Sequence, residues 1–151
     1  MTEKHRYLVQ ASFVWVVLKA TTTGEHFYEH LFELDGSLRL FFMNNPKQKN
    51  FTLIHIICLL VNGLDDVRTR DELVKNLGDR YSKIGVEAIH YDMAGEALMW
   101  ALSQVLSDKF TDEVREAWIE MIAMYACMMK AAHYQFEERR QMDFAARLYA
   151  A

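Results

Sequence analysis

Apolar residues along this chain recur every three to four positions in one segment after another, and no stretch alternates over the length of a strand. The first segment, about 4–19, carries Val9, Phe13, Val16, Val17 and Ala20 at helical spacing. Thr22 and Glu25 have the spacing of a capping box for a second helix, whose apolar face is Phe27, Tyr28, Leu31 and Phe32. A short piece from Ser37 to Phe42 follows, and Asn45-Pro46 has the form of an N-cap and first turn. The third stripe is Leu53, Ile57, Leu60, Val61 and Leu64. Thr69 and Glu72 repeat the capping-box spacing before a helix with Leu73, Leu77, Tyr81 and Ile84 on one face, closed by Gly85. Another helix is predicted from about 88 to 106, with Tyr91, Ala94, Leu98, Ala101, Leu102 and Val105 inward. Thr111, backed by Asp112 and Glu113, caps the last, whose stripe is Val114, Trp118, Ile122, Tyr125, Met129 and His133, with helical character on to Tyr149. The pattern predicts an all-α domain of roughly six to eight helices, packed as an irregular bundle or a non-bundle fold.

Composition narrows the classes of function. With 151 residues, 52% hydrophobic and 25% charged, the chain is long enough for a sizeable core and ordinary enough to be globular. A net charge of −4 and the lack of any longer basic run leave no electrostatic footprint for nucleic acid. The polar N-terminal residues lack the apolar run of a leader, and no apolar stretch approaches the ~18 residues of a membrane span, so no membrane partner and a cytoplasmic location are expected. Cys58 and Cys127, both in apolar segments, are read as reduced core thiols, and the nine methionines as core filler. The sequon at Asn50 is taken as chance. The histidines lack metal-ligand spacing, and no phosphate loop, nucleophile elbow or paired-acid motif is present, so no dedicated catalytic motif can be named.

Several motifs in one order nevertheless resemble a known family. Phe27-Tyr-Glu-His-Leu-Phe-Glu-Leu-Asp35 with Leu38 and Phe42, then Arg80, Gly85-Val86, His90-Tyr91 and Gly95-Glu-Ala-Leu98, then Phe110-Thr-Asp-Glu-Val-Arg-Glu-Ala-Trp118, are similar to single-domain bacterial globins and to the globin part of flavohaemoglobins. The resemblance runs from about Leu8 to Lys130. It implies a globin fold over 1–130, with 131–151 as a C-terminal helical extension that could dimerise or lead to a downstream domain. It also implies haem b between the helix starting at Pro46 and the helix carrying Tyr81. Residues matching the family's pocket are Tyr28, Phe42, Lys49 and Leu53 on the distal side, and Val86, Tyr91, Ala94 and Leu98 on the proximal side.

One position departs from the family. Where its members carry the iron-binding histidine after a basic residue, this chain has Tyr81 after Arg80. The distal polar residue falls on Lys49, and the glutamate that supports the proximal histidine falls on His133. Three readings follow. In the first, Tyr81 ligates ferric haem as a phenolate, as catalases do, with small-molecule binding or sensing and at most weak peroxidase-like or nitric oxide chemistry. Arg80 or His133 would then support the phenolate. In the second, haem binds weakly or through another histidine. In the third, the pocket holds no haem and takes an apolar or anionic ligand, Tyr81 being a packed core aromatic.

Overall fold

The computed structural model describes residues 1–42 and 46–150, and the side chains of 46–51 fall outside the description. Six α-helices follow one another: α1 Glu3–Leu18, α2 Ala20–Leu34, α3 Pro46–Asn62, α4 Val67–Lys83, α5 Ala88–Leu106 and α6 Asp112–Ala150. Short 3-10 turns lie at Gly36–Phe41, Gly63–Asp65 and Ser107–Lys109. No strand occurs among the described residues. The expected all-α architecture is what the chain adopts.

Two helix starts differ from the capping boxes read in the sequence. Thr22 lies inside α2, which begins directly after Lys19, and Lys19 makes no side-chain cap. Thr23 Oγ1 donates at 2.8 Å to the Lys19 carbonyl, which also accepts from the Thr23 amide, the back-bonding of a threonine that bends a helix. Helix α4 is capped by Asp66, which accepts from the Arg68 amide at 3.1 Å and from the Thr69 hydroxyl, so Thr69 is a donor within the cap. Other boundaries agree. Gly85 takes φ +97°, the left-handed conformation that favours glycine, just beyond α4. Thr111 Oγ1 accepts from the Val114 amide at 3.3 Å at the start of α6. Asn45, expected to cap α3, lies outside the described residues.

The core is built where α2 crosses α5 and where α1, α4 and α5 meet α6. Trp118 is its fully buried centre, and its Nε1 donates to Ser12 Oγ at 2.9 Å, which satisfies both polar groups inside the apolar cluster. Close approach of the helices depends on small residues. A Cβ on Gly78 would stand 2.8 Å from that of Ala132, and one on Gly95 would stand 2.8 Å from Ile122 Cγ2. Helix α6 runs unbroken from the core to Ala150, and Met142, Phe144, Leu148 and Tyr149 on its last turns are exposed. Of the two thiols, both free, Cys58 is partly buried and Cys127 is exposed on α6, which corrects its reading as a core residue. No helix is long and apolar enough to cross a membrane among the described residues.

Candidate functional site

Leaving α2, α3, α4, α5 and α6 at different angles, the apolar stripes do not close on one another completely. Between them lies a cavity of about 540 Å³, within the ~300–1,000 Å³ of pockets that bury small molecules and cofactors. Tyr28 and Phe42 enter it from α2 and the turn behind it, Leu53 from α3, Tyr81 from α4, Val86 from the α4–α5 link, and Tyr91, Ala94 and Leu98 from α5. Eight of the nine residues singled out in the sequence thus line one cavity. The ninth, Lys49, has its side chain outside the described residues. The sequence reading missed Phe41 and Ile56, which line the same space. Phe41 is masked by its twin Phe42, and Ile56 sits one position off the stripe that Leu53 and Ile57 define.

Aromatic rings build the α2 end. Tyr28 packs on Phe27 at 4.9 Å edge-on, on Phe42 at 5.1 Å and on Phe32 at 5.8 Å between ring centroids. The Arg39 guanidinium stands 5.4 Å over the Phe32 ring and closes the cluster on its outer side. This packing fixes the ring of Tyr28 against the cavity. Burial pushes its phenol well above the ordinary value, and the nearby Tyr81 adds to the shift.

The α4–α5 side carries two more phenols. Tyr81 projects from the last turn of α4, beyond the buried Leu77, and its hydroxyl has no hydrogen-bond partner among the described residues. Burial raises its phenol, while the Arg80 guanidinium at the cavity rim pulls it back down. Arg80 itself has no ion-pair partner among the described residues. Tyr91 is held at about 12 by burial, with Tyr81 as the second cause. Its hydroxyl is buried and has no hydrogen-bond partner among the described residues, a costly condition for a polar group unless something else satisfies it.

The histidines are committed elsewhere. His90, the one imidazole lining the cavity among the described residues, accepts from the Glu87 amide at 2.9 Å through Nδ1, completing a capping box. Its Nε2 lies 3.4 Å from Asp35 Oδ2, tying the start of α5 to the end of α2. His133, expected as a support for Tyr81, instead pairs through Nδ1 with Ser82 Oγ at 2.9 Å. Ser82 is the residue after Tyr81 and points away from the cavity, so the α6 histidine steadies the backbone of the Tyr81 turn and does not reach its hydroxyl. Tyr125 lines the α6 wall and donates to the Leu60 carbonyl at 2.6 Å.

An all-helical fold whose crossing helices wall an apolar cavity is the architecture of the globin class. The chain belongs to the Globin family, whose model matches residues 25–129. It is 27% identical over 143 residues to neuroglobin-2 of Oncorhynchus mykiss, covering 85% of this chain and 90% of that one. It is 22% identical over 121 residues to a flavohemoprotein of Vibrio cholerae, covering 78% of this chain but 31% of the relative. Among solved structures, an engineered carbene transferase from Rhodothermus marinus superposes with a TM-score of 0.81 at 22% identity, over 93% of this chain and 99% of the other. A hexacoordinated heme protein from an anhydrobiotic tardigrade gives 0.79 at 14% identity, over 89% and 96%. The structural likenesses speak to the fold.

Proposed function

We propose that this globin binds haem through Tyr81 as a phenolate ligand and serves to bind or sense a small molecule on the Tyr28 side. The observation that carries the reading is Tyr81 lining an apolar cavity, its hydroxyl without a hydrogen-bond partner among the described residues, with a guanidinium at the adjacent position. A phenol can be held as its anion only where positive charge compensates. Ferric iron and Arg80 are two such sources on the same side. The residues present fit the group in three respects. The cavity is large and apolar, the ligating atom is free to turn inward, and the buried Tyr91 hydroxyl lacks a partner that a bound oxygen donor or acceptor would supply.

When bound, haem would supply an iron centre whose ferric state a hard anionic ligand favours. Around it, Phe42 and Leu53 offer apolar contact, Tyr28 offers a hydroxyl opposite Tyr81, and Val86, Ala94 and Leu98 close the floor. Arg80 at the rim would meet an anionic edge of the ligand. Lys49 is proposed for the same task on the opposite rim. Preference for the ferric state argues against oxygen carriage and for sensing or haem holding, with weak peroxidase-like or nitric oxide chemistry secondary. The chain spans about a third of the flavohemoproteins it matches, 31% and 36% of their lengths.

One observation favours a second reading: the cavity offers no uncommitted imidazole among the described residues, so a haem-free pocket for an apolar or anionic ligand is the alternative. Hemin titration of the purified protein separates the two. The expected result is a Soret band with a phenolate charge-transfer band, the latter lost in Tyr81→Phe. Absence of a Soret band after hemin addition would leave the haem-free reading standing, and reversible oxygen uptake by the reduced protein would overturn phenolate ligation. We further propose residues 1–130 as the functional globin unit, with 131–151 as an extension whose exposed apolar turns connect to a downstream domain or another copy. The two free thiols suit a reducing, cytoplasmic setting.

A further inference from the structure

Helix α1 has two apolar faces, and only one of them is used. Val9, Phe13 and Val16 are buried against the core together with Ser12. On the opposite side Tyr7, Ala11, Val14 and Leu18 follow one another at spacings of four, three and four, the seam of a heptad repeat. All four face solvent: Tyr7 is 68%, Val14 57% and Leu18 71% exposed, and Ala11 is also exposed. Trp15 and Val17 flank the seam, each 44% exposed. From Tyr7 to Leu18 no residue is charged, although a surface helix of a monomer would be expected to carry charge on its outer face.

We propose that this seam is the interface of a homodimer in which two α1 helices pack antiparallel across a two-fold axis. The register follows from the seam itself. Centred between Ala11 and Val14, it sets Tyr7 against Leu18 of the second copy and Ala11 against Val14, a small residue opposite a branched one in each central layer. Beyond the seam, Glu3 and Lys4 fall opposite Thr22 and Thr21, which are exposed. No like charges therefore meet, as self-pairing requires, because an isologous contact brings each side chain onto the same surface of the copy. Trp15 flanks the seam near Leu8 of the second copy and supplies the aromatic anchor common at interface centres.

The ionic groups around α1 argue against a membrane as the occupant. Lys4 is paired with Glu113 at 2.8 Å, Arg6 with Asp65 at 3.5 Å, and Lys19 donates to the Val105 carbonyl at 3.1 Å. Lys109 Nζ stands 4.6 Å over the Trp15 ring; a helix lying in a lipid headgroup layer needs free cations beside its apolar face, and these four are engaged within the protein. The size of the seam also sets the strength. A helix of 16 residues spans about 24 Å, so the pair belongs at the small end of specific interfaces, below about 1,200 Å², and a dissociation constant on the order of micromolar is expected.

Sedimentation equilibrium of the full chain across the micromolar range tests the proposal. The wild type is expected to pass from monomer to dimer. Val14→Glu and Ala11→Lys are each expected to weaken association by about a hundredfold, since each buries an unpaired charge. Combined in one chain, they place opposite charges across both central layers and should restore the dimer. Circular dichroism checks that the variants keep their helix content, which these exposed sites should not disturb. A wild type that stays monomeric throughout overturns the proposal. So does a dimer indifferent to these changes but dissociated by Phe144→Glu with Leu148→Glu, which would place the contact on α6. Dissociation by the single changes without rescue by the pair overturns the antiparallel register. Binding of the monomer to anionic phosphatidylserine vesicles, lost with Trp15→Glu, would assign the face to lipid instead.

Discussion

At the residue scale, three of the phenols that line the cavity differ in their surroundings. Tyr28 is clamped by aromatic rings, Tyr81 is open to the cavity beside a guanidinium, and Tyr91 is buried with an orphaned hydroxyl. An orphaned hydroxyl costs stability that its removal returns. Tyr91→Phe is therefore expected to stabilise the ligand-free protein by about 1 kcal/mol, raising its melting temperature by about 2–4 °C. The same change should weaken hemin binding if the hydroxyl is satisfied only when the cavity is filled. Thermal melts with and without hemin check both signs, and destabilisation of the ligand-free protein would show that the hydroxyl has a partner. The sequence could place Tyr81 and Tyr91 on the right faces, because helical period and family resemblance carry that information. It could not say which hydroxyl lacks a partner, nor that His133 turns to Ser82, because partners across an interhelical gap depend on crossing geometry that no local pattern encodes.

At the element scale, helix existence and facing were legible and some starts were not. Apolar period marks a buried face over many residues, so Leu77, Leu98, Trp118 and Met129 were placed inward and are buried. A cap rests on one side chain with several competitors: at α4 the upstream Asp66 won, and at α2 no side chain caps the helix, Thr23 bonding back to the Lys19 carbonyl. The outer apolar face of α1 had also been readable as residues, but only burial of the inner face shows that the remaining one is unpartnered. Helix spacing was the other hidden quantity. Gly78 sits mid-helix in α4 because α6 passes so close that a Cβ would stand 2.8 Å from Ala132 Cβ. Gly78→Ala would ordinarily favour a helix by up to about 1 kcal/mol; here the overpacking should reverse the sign and destabilise by about 1–3 kcal/mol. Restoring the space with Ala132→Gly in the same chain should recover part of the loss, and a double-mutant cycle from denaturant unfolding would measure the coupling. Additive effects would mean that the two helices do not meet there.

At the scale of the whole molecule, the placement of phenols makes the fold sensitive to alkali in a way that also reports on the cavity. Burial raises the phenols of Tyr28, Tyr81, Tyr91 and Tyr125, the last two to about 12. In the unfolded chain a phenol releases its proton near ~10. Between that value and the folded one, the native state holds protons the unfolded state has lost, so stability is intact below about pH 10 and falls as pH rises toward 12. Tyrosinate absorbance followed against pH should therefore rise in stages, with these four phenols in the last, accompanied by loss of helical circular dichroism. Early ionisation of all seven tyrosines with the helices intact would contradict the burial of the cavity walls. Hemin adds a second measurement on the same curve. If Tyr81 binds ferric iron as its anion, its proton has already left at neutral pH, and the late stage should shrink from four phenols to three. The ligated form should also resist acid less well, since protonating the phenolate breaks the bond. An unchanged late stage in a protein that shows a Soret band would assign the iron ligand to another side chain and leave Tyr81 a wall of the cavity.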